Sequence, residues 1–215
     1  MTPTTLIVIA KSPVPGRVKT RLCPPCSPDQ AAALAAAALA DTLATVAATR
    51  ATGRVLALDG VRGPWIPDGF VIVPQIGAGL DERLANAFAA VSGPAVLVGM
   101  DTPQITPALL EHAERRLHEP DKDAVLGLAE DGGWWTIGLR RADPRVFVGV
   151  PMSTPQTGRA QLDRLASLGL RTAMLPTLRD VDTFSDVLAV AAEVPASRFA
   201  SAVDHLDELA EDVAG

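Results

Sequence analysis

Leu6-Ile7-Val8-Ile9-Ala10-Lys11-Ser12-Pro13-Val14-Pro15-Gly16-Arg17-Val18-Lys19-Thr20-Arg21-Leu22 passes from a short apolar run straight into a basic, proline-bearing loop. The run Leu6–Ile9 has the length and continuity of a buried strand. Lys11, Arg17, Lys19 and Arg21 put four cations into eleven residues with no acid among them, in a chain whose net charge is −6. Of only three lysines in the chain, two lie here. Like charges this close repel one another, so the loop is expected to face something anionic. Pro13, Pro15 and Gly16 interrupt a helix and shape the segment. A Gly-containing basic loop leaving the first strand of an α/β sheet fits a phosphate cradle, with Ala10, Lys11, Gly16, Arg17, Lys19 and Arg21 as its candidate residues. A solvated basic turn is the alternative.

Two familiar phosphate loops are excluded. A P-loop requires glycine, four residues, then Gly-Lys-Ser/Thr, and here Gly16 is followed by Arg17-Val18-Lys19. A dinucleotide fingerprint requires Gly-x-Gly-x-x-Gly, and the pair Gly77 and Gly79 has no third glycine.

Working outward, short apolar runs alternate with helical patterns along the whole chain. Strands are expected at Thr5–Ala10, Arg54–Leu58, Phe70–Val73, Pro94–Gly99, Ala124–Leu128, Trp134–Leu139 and Arg171–Leu175. Helices are expected at Pro28–Ala51, Leu80–Val91, Pro107–His118, Thr154–Leu168, after Thr183 and over Ser197–Val213. This alternation predicts an α/β fold, a mostly parallel sheet with helices on both faces. No repeat or linker divides the chain, so one domain over residues 1–215 is expected, with the last helix, about 197–213, as an appendage.

An acidic balance with a pI near 5.0 argues against general nucleic-acid binding. The alanine-rich run after Ala31 is cut by Asp41, and the first apolar run is short for a signal-peptide core. No membrane span is therefore expected, and a cytoplasmic protein is. Cys23-Pro24-Pro25-Cys26 has redox-motif spacing but follows a loop rather than a strand, with no further ligand nearby, and a simple turn is expected.

In parallel sheets ligands sit beyond the carboxyl ends of the strands, and the remaining polar motifs collect there. Asp101, in Met100-Asp101-Thr102-Pro103, ends the most apolar run and is the first candidate metal ligand, with a turn or cap role as the alternative. Asp182, in Asp180-Val181-Asp182-Thr183, is the second, with Asp180 as its substitute. Thr183 with Asp186 also resembles a capping box. Mg²⁺, or Mn²⁺, suits one or two carboxylates supplemented by phosphate oxygens. Asp131, Gly132, Gly133 and Trp134 form a candidate acceptor or sugar contact: a carboxylate for hydroxyls beside glycines that admit a ligand near the backbone. Of Trp134 and Trp135, one is expected in the core and the other along the cleft.

Taken together, the stretch Ala10 to Leu22, Met100-Asp101-Thr102-Pro103, Glu130-Asp131-Gly132-Gly133-Trp134-Trp135-Thr136-Ile137-Gly138-Leu139 and Asp180-Val181-Asp182-Thr183 resemble the bacterial family called domain of unknown function 2064, a glycosyltransferase-A-like family, from Leu6 to about Leu188. Lys19-Thr20-Arg21-Leu22 is similar to the Lys-Ser-Arg-Leu of phospholactate guanylyltransferases. The chain departs from the family at Met152 and at Phe184-Ser185, where Trp and Pro-Glu are usual. The resemblance implies the GT-A, or nucleotide-diphospho-sugar transferase, fold: a three-layer α/β/α sandwich shared with molybdenum-cofactor nucleotidyltransferases. It also implies Lys11, Lys19 and Arg21 on phosphates, Asp101 on the metal, and Gly77, Gly79 and Leu80 on the base.

The expected activity is metal-dependent nucleotidyl transfer from a nucleoside triphosphate to a small, sometimes phosphorylated, acceptor, with Lys19, Arg21 and Asp101 as catalytic candidates. The alternatives are a glycosyltransferase using a nucleoside-diphosphate sugar, which normally shows Asp-x-Asp where this chain has Asp-Thr-Pro, and a non-catalytic nucleotide-binding protein. Expected partners are the nucleotide and a small-molecule acceptor. Base, acceptor identity and oligomeric state are not legible.

Overall fold

In the computed structural model, which describes residues 4–214 and the side chains of residues 4–206, seven strands form one sheet. They are β1 (Thr5–Lys11), β2 (Gly53–Asp59), β3 (Val71–Pro74), β4 (Ala95–Val98), β5 (Ala124–Ala129), β6 (Trp134–Leu139) and β7 (Thr172–Leu178). Their order across the sheet is β3-β2-β1-β4-β6-β5-β7. Only β6 runs against its neighbours, β4 and β5. The expected mostly parallel sheet is therefore observed. The chain leaves β1 toward β2 and β3, then returns to place β4 on the other side of β1. The carboxyl ends of β1 and β4 thus flank the point where strand order reverses, where an open α/β sheet leaves a crevice.

The described residues form six α-helices: α1 (Pro28–Ala48), α2 (Leu80–Ala89), α3 (Pro107–Leu117) and α4 (Thr157–Ser167), which cover the sheet, and α5 (Phe184–Glu193) and α6 (Arg198–Ala214), which pack on α1. Strand side chains alternate between faces, and the core divides accordingly. On one face Leu6, Val8, Val96 and Val98 pack with Leu39 and Leu43 of α1 and Leu110 and Leu117 of α3. On the other, Ile7, Ala57 and Leu97 pack with Leu84 and Phe88 of α2 and Leu165 of α4. The layers are helix, sheet, helix.

A third apolar cluster lies on the outer side of α1 and joins Leu34 and Ala38 to Val187, Val190, Phe199 and Val203 of α5 and α6. It also contains Leu22 and Val181, both almost fully buried. These are the chain neighbours of Arg21 and Asp182, so the same apolar anchor fixes the basic loop and the second acidic segment.

Helix α1 is 21 residues long, and an 18-residue window within it has mean hydropathy 1.7, long and apolar enough to cross a membrane by length and composition. Nine of its residues are buried against the sheet and neighbouring helices, so the apolarity serves two cores at once. Two expectations need correction. Strand β7 runs on to Leu178 rather than stopping at Leu175. Pro176 lacks an N–H, but β7 is an edge strand, where the ladder tolerates its absence. Helix α4 starts at Thr157, because Thr154–Gln156 form a turn in which the Thr154 N–H donates to the Thr157 hydroxyl at 3.0 Å.

Candidate active site

After β1 the chain turns tightly. Arg17 N–H donates to the Val14 carbonyl at 3.0 Å, and Gly16 has φ +72°. Lys19 itself adopts φ +47°, unusual for a residue with a β-carbon, and leads into a 3-10 turn over Thr20–Leu22. That backbone turns the Lys19 side chain inward, where it is only 8% exposed. Its ammonium lies 2.7 Å from Asp101 Oδ1 and 3.3 Å from Asp182 Oδ1, and also donates to the Val181 carbonyl. Arg21 stays largely in solvent and reaches Asp182 Oδ2 at 3.0 Å. Burial disfavours the charge on Lys19, but the two carboxylates outweigh it and hold the pKa above the ordinary lysine value.

The acids are held by the ends of β4 and β7. Asp101 follows β4, and its carbonyl accepts from Val181 N–H at 2.9 Å, which ties the two acidic segments together. The Thr102 hydroxyl donates to Asp180 Oδ1 at 3.1 Å, and Gln104 Nε2 donates to the Arg179 carbonyl at 2.6 Å. Thr183 and Asp186 form a complete capping box for α5, so capping is done by the residues after Asp182, whose carboxylate remains turned toward Lys19. Thr102 and Gln104 were not singled out from sequence. A hydroxyl and an amide directly after a strand-end aspartate were the available signal.

Asp180 is the strained member. Burial pushes its pKa up to about 7, the negative charges of Asp101 and Asp131 add to the rise, and the Thr102 hydrogen bond and Lys19 oppose it. Folding stability should follow. An acid that ionises near 7 when folded and near 3.8 when unfolded costs nothing below about pH 4, and destabilises progressively as pH rises through 7. Asp180→Asn retains the acceptor for Thr102 and removes the charge. It should stabilise the metal-free protein at pH 8 by up to roughly 4 kcal/mol, read as a higher melting temperature, and not at pH 4. A stability difference independent of pH would contradict this placement of Asp180.

Lys11 and Arg17 do not join Lys19. They line a separate cleft of about 240 Å³ between the loop and the end of β2, with Ser12, Val14, Val18, Asp59, Gly60 and Val61. The four cations of the loop therefore divide into a buried pair-former with its neighbour Arg21, and two that face open space. Asp59, also missed from sequence, ion-pairs with Arg83 of α2 at 2.9 Å, and Arg83 Nε donates to the Gly77 carbonyl. This links the cleft to the turn Gly77–Leu80 at the N-terminus of α2. Gly77 has φ +136°, and a β-carbon there would press on Glu82 and the Arg83 N–H, so its glycine has a backbone reason. Ala10 lies at the end of β1 with its carbonyl accepting from Gln75 Nε2 at 2.8 Å.

On the far side, Gly132 has φ +90° and packs directly on the backbone of Pro155, while its carbonyl accepts from Gly158 N–H at 2.8 Å. Asp131 Oδ1 accepts from Gly133 N–H at 2.8 Å. Trp135 is the buried tryptophan, with its indole N–H on the Pro176 carbonyl at 3.0 Å. Trp134 is partly buried and packs against the cluster on the α2 and α4 side of the sheet, with a buried indole N–H that has no partner among the described residues. Trp135 is thus the core ring, and Trp134 the one that keeps an exposed part.

Asp101, Asp131, Asp180 and Asp182 thus gather at one end of the sheet, faced by Lys19 and Arg21. Among the described residues, no three His, Cys, Asp or Glu side chains are placed to hold a metal ion on their own. That donor set fits Mg²⁺ in the form it commonly takes, with one or two carboxylates and the rest from water and phosphate. The excess acid registered at Asp180 is what a dication would relieve.

The profile of a bacterial family described as "Uncharacterized protein conserved in bacteria (DUF2064)" matches residues 31–154. No curated protein matches the chain. Among solved structures, a Desulfovibrio desulfuricans G20 protein described as a candidate nucleotide-diphospho-sugar transferase aligns at 26% identity and a TM-score of 0.86, covering 99% of this chain and 98% of that one. CMP:2-keto-3-deoxy-manno-octonic acid synthetase, solved with CTP, aligns at 13% identity and a TM-score of 0.58 over 89% of this chain and 98% of its own. The Mycobacterium tuberculosis H37Rv protein Rv0371c, solved with manganese, aligns at 21% identity and 0.51 over 88% and 97%. The fold is that of the nucleotide-diphospho-sugar transferases, a fold of nucleotide-using transferases.

Proposed function

The chain belongs to the DUF2064 family, more than half of it lying within the matched region, and we propose that it is a metal-dependent nucleotidyltransferase. The observation that carries this reading is the pairing of a basic loop with an acidic pocket across the crevice between β1 and β4. Lys19 and Arg21 stand within ion-pair distance of the acids that would hold a cation. A nucleoside triphosphate brings more negative charge than one dication balances, and this loop supplies the difference.

In this reading the triphosphate lies along the loop, with the base toward the Gly77–Leu80 turn and the cleft beside Lys11 and Arg17. Asp101, with Asp182 or Asp180, would hold Mg²⁺ or Mn²⁺, which would neutralise negative charge on the phosphates. An acceptor oxygen near Asp131 attacks the α-phosphorus in line; the new P–O bond forms as the bond to the β-phosphate oxygen breaks, and pyrophosphate leaves. Lys19 and Arg21 stabilise the charge that develops on the departing phosphates. In this reading the Asp131 carboxylate takes the proton of a hydroxyl acceptor. One domain, residues 1–215, carries all these groups.

The Desulfovibrio relative, described as a candidate nucleotide-diphospho-sugar transferase, supports a second reading, glycosyl transfer from a nucleoside-diphosphate sugar, in which Asp131 contacts the sugar. A thermal-shift panel of nucleoside triphosphates and UDP-, GDP- and dTDP-sugars with Mg²⁺ separates the two. Stabilisation by one triphosphate above its diphosphate sugars is expected; the reverse order would replace nucleotidyl by glycosyl transfer.

A further inference from the structure

Lys19 occupies the space between the carboxylates that the proposed function assigns to a cation. Its ammonium bridges Asp101 Oδ1 at 2.7 Å and Asp182 Oδ1 at 3.3 Å, and it also donates to the Val181 carbonyl. Three acceptors for a group with three donors is a complete set. The same side chain is therefore asked to do two things, to hold phosphate and to neutralise the acids, and it cannot do both at once.

We propose that Lys19 is an exchangeable counter-ion: it closes the acidic pocket to free divalent cations, and the pocket opens only when a polyphosphate draws the ammonium away. The proposal rests on the nucleotide-using reading of this site and adds to it an order of events.

Several features favour exchange over a permanent structural pair. The partners are unequal in exposure: Lys19 is 8% exposed at its side chain, while Asp101 and Asp182 are 39% and 30% exposed, so a ligand can reach the acids from outside while the lysine lies beneath. Lysine carries a point charge on four rotatable carbons, which lets the ammonium move several ångströms without backbone change. Arg21 already faces solvent from the same 3-10 turn and gives an arriving polyphosphate a first contact. A free dication would have to expel a paired ammonium from a shared pocket, against direct repulsion. A dication arriving with polyphosphate meets the opposite situation, because the phosphate gives the ammonium a new partner as the carboxylates are released. Binding of cation and polyphosphate is then positively coupled, and coupling of this kind is reciprocal.

The test is Mn²⁺ binding without any nucleotide, read by electron paramagnetic resonance, on wild type and Lys19→Met, which keeps length and removes charge. The expected result has opposite signs for the two ligands. Lys19→Met should bind Mn²⁺ alone about tenfold more tightly than wild type, and bind the Mg²⁺–triphosphate complex about tenfold more weakly. Lys19→Arg should keep the wild-type weakness toward Mn²⁺ alone. Unchanged or weaker Mn²⁺ binding by folded Lys19→Met overturns the proposal, and if wild type still binds the metal–triphosphate complex, the nucleotide reading survives that result. Should Lys19→Met not fold, wild type supplies the readout through the ¹⁵N signal of the Lys19 ammonium, whose side chain is the least exposed of the three lysines. Mg²⁺ alone should leave that signal in place, and Mg²⁺ with triphosphate should shift it. Displacement by Mg²⁺ alone at the same concentration overturns the proposal.

Discussion

Asp101→Ala is expected to lower Mg²⁺-dependent affinity for the preferred triphosphate by at least about 100-fold, near 2.7 kcal/mol, with the fold intact. Asp101 is the acid closest to the Lys19 ammonium, and its backbone carbonyl already holds Val181 in place. That backbone bond survives the substitution. Lys19 would retain Asp182 and the Val181 carbonyl, so the loop keeps its inward conformation and the loss falls on the cation. The control is Asp101→Asn, which preserves shape and hydrogen bonding but not charge, and should lose nearly as much. Calorimetric titration at fixed Mg²⁺ measures both. Wild-type affinity in either variant would remove Asp101 from the metal position.

Gly132→Ala should destabilise the protein by about 2–4 kcal/mol, a fall in melting temperature of roughly 5–15 °C for a chain of this size. Two costs add. The backbone at φ +90° is one that residues with a β-carbon seldom adopt. The new β-carbon would also stand 2.8 Å from the Pro155 carbonyl carbon and 3.0 Å from its Cα, in backbone that cannot turn aside as a side chain can. Relief requires moving the Ser153–Thr157 turn and breaking the 2.8 Å bond from Gly158 N–H to the Gly132 carbonyl. Gly16→Ala is the comparison: φ +72° but no atom within 4 Å of the added carbon, so only the conformational cost of about 1 kcal/mol is expected. Equal losses in the two variants would show that steric contact at Gly132 contributes nothing.

The layers were legible because each buried strand is a short apolar run bounded by turn residues, and because Asp101, Asp131 and Asp182 each close such a run. A strand end specifies its place at the edge of the sheet regardless of what packs elsewhere. What sequence could not give was the partner of Lys19. Asp182 lies 163 residues away, and their meeting depends on Leu22 and Val181 sharing one apolar cluster under α1. The four loop cations also read as one group in sequence, yet the turn at Gly16 and the left-handed Lys19 send them to two places. Asp59 escaped notice although it ends β2 by the same rule that found Asp101. Periodicity placed Trp134 and Trp135 on opposite faces of β6, and the two rings do pack against different clusters, Trp135 buried and Trp134 only in part.

The measurement that bears most directly on the central assignment is the melting temperature of the wild-type protein with one triphosphate, titrated in the presence and absence of Mg²⁺. A ligand at 100 times its Kd adds about 2.7 kcal/mol to the folded state, or roughly 5–10 °C here. The expected result is a rise of that size with one triphosphate, dependent on Mg²⁺. An equal rise without Mg²⁺, or none with any triphosphate, would contradict a metal-dependent nucleotide site between β1 and β4.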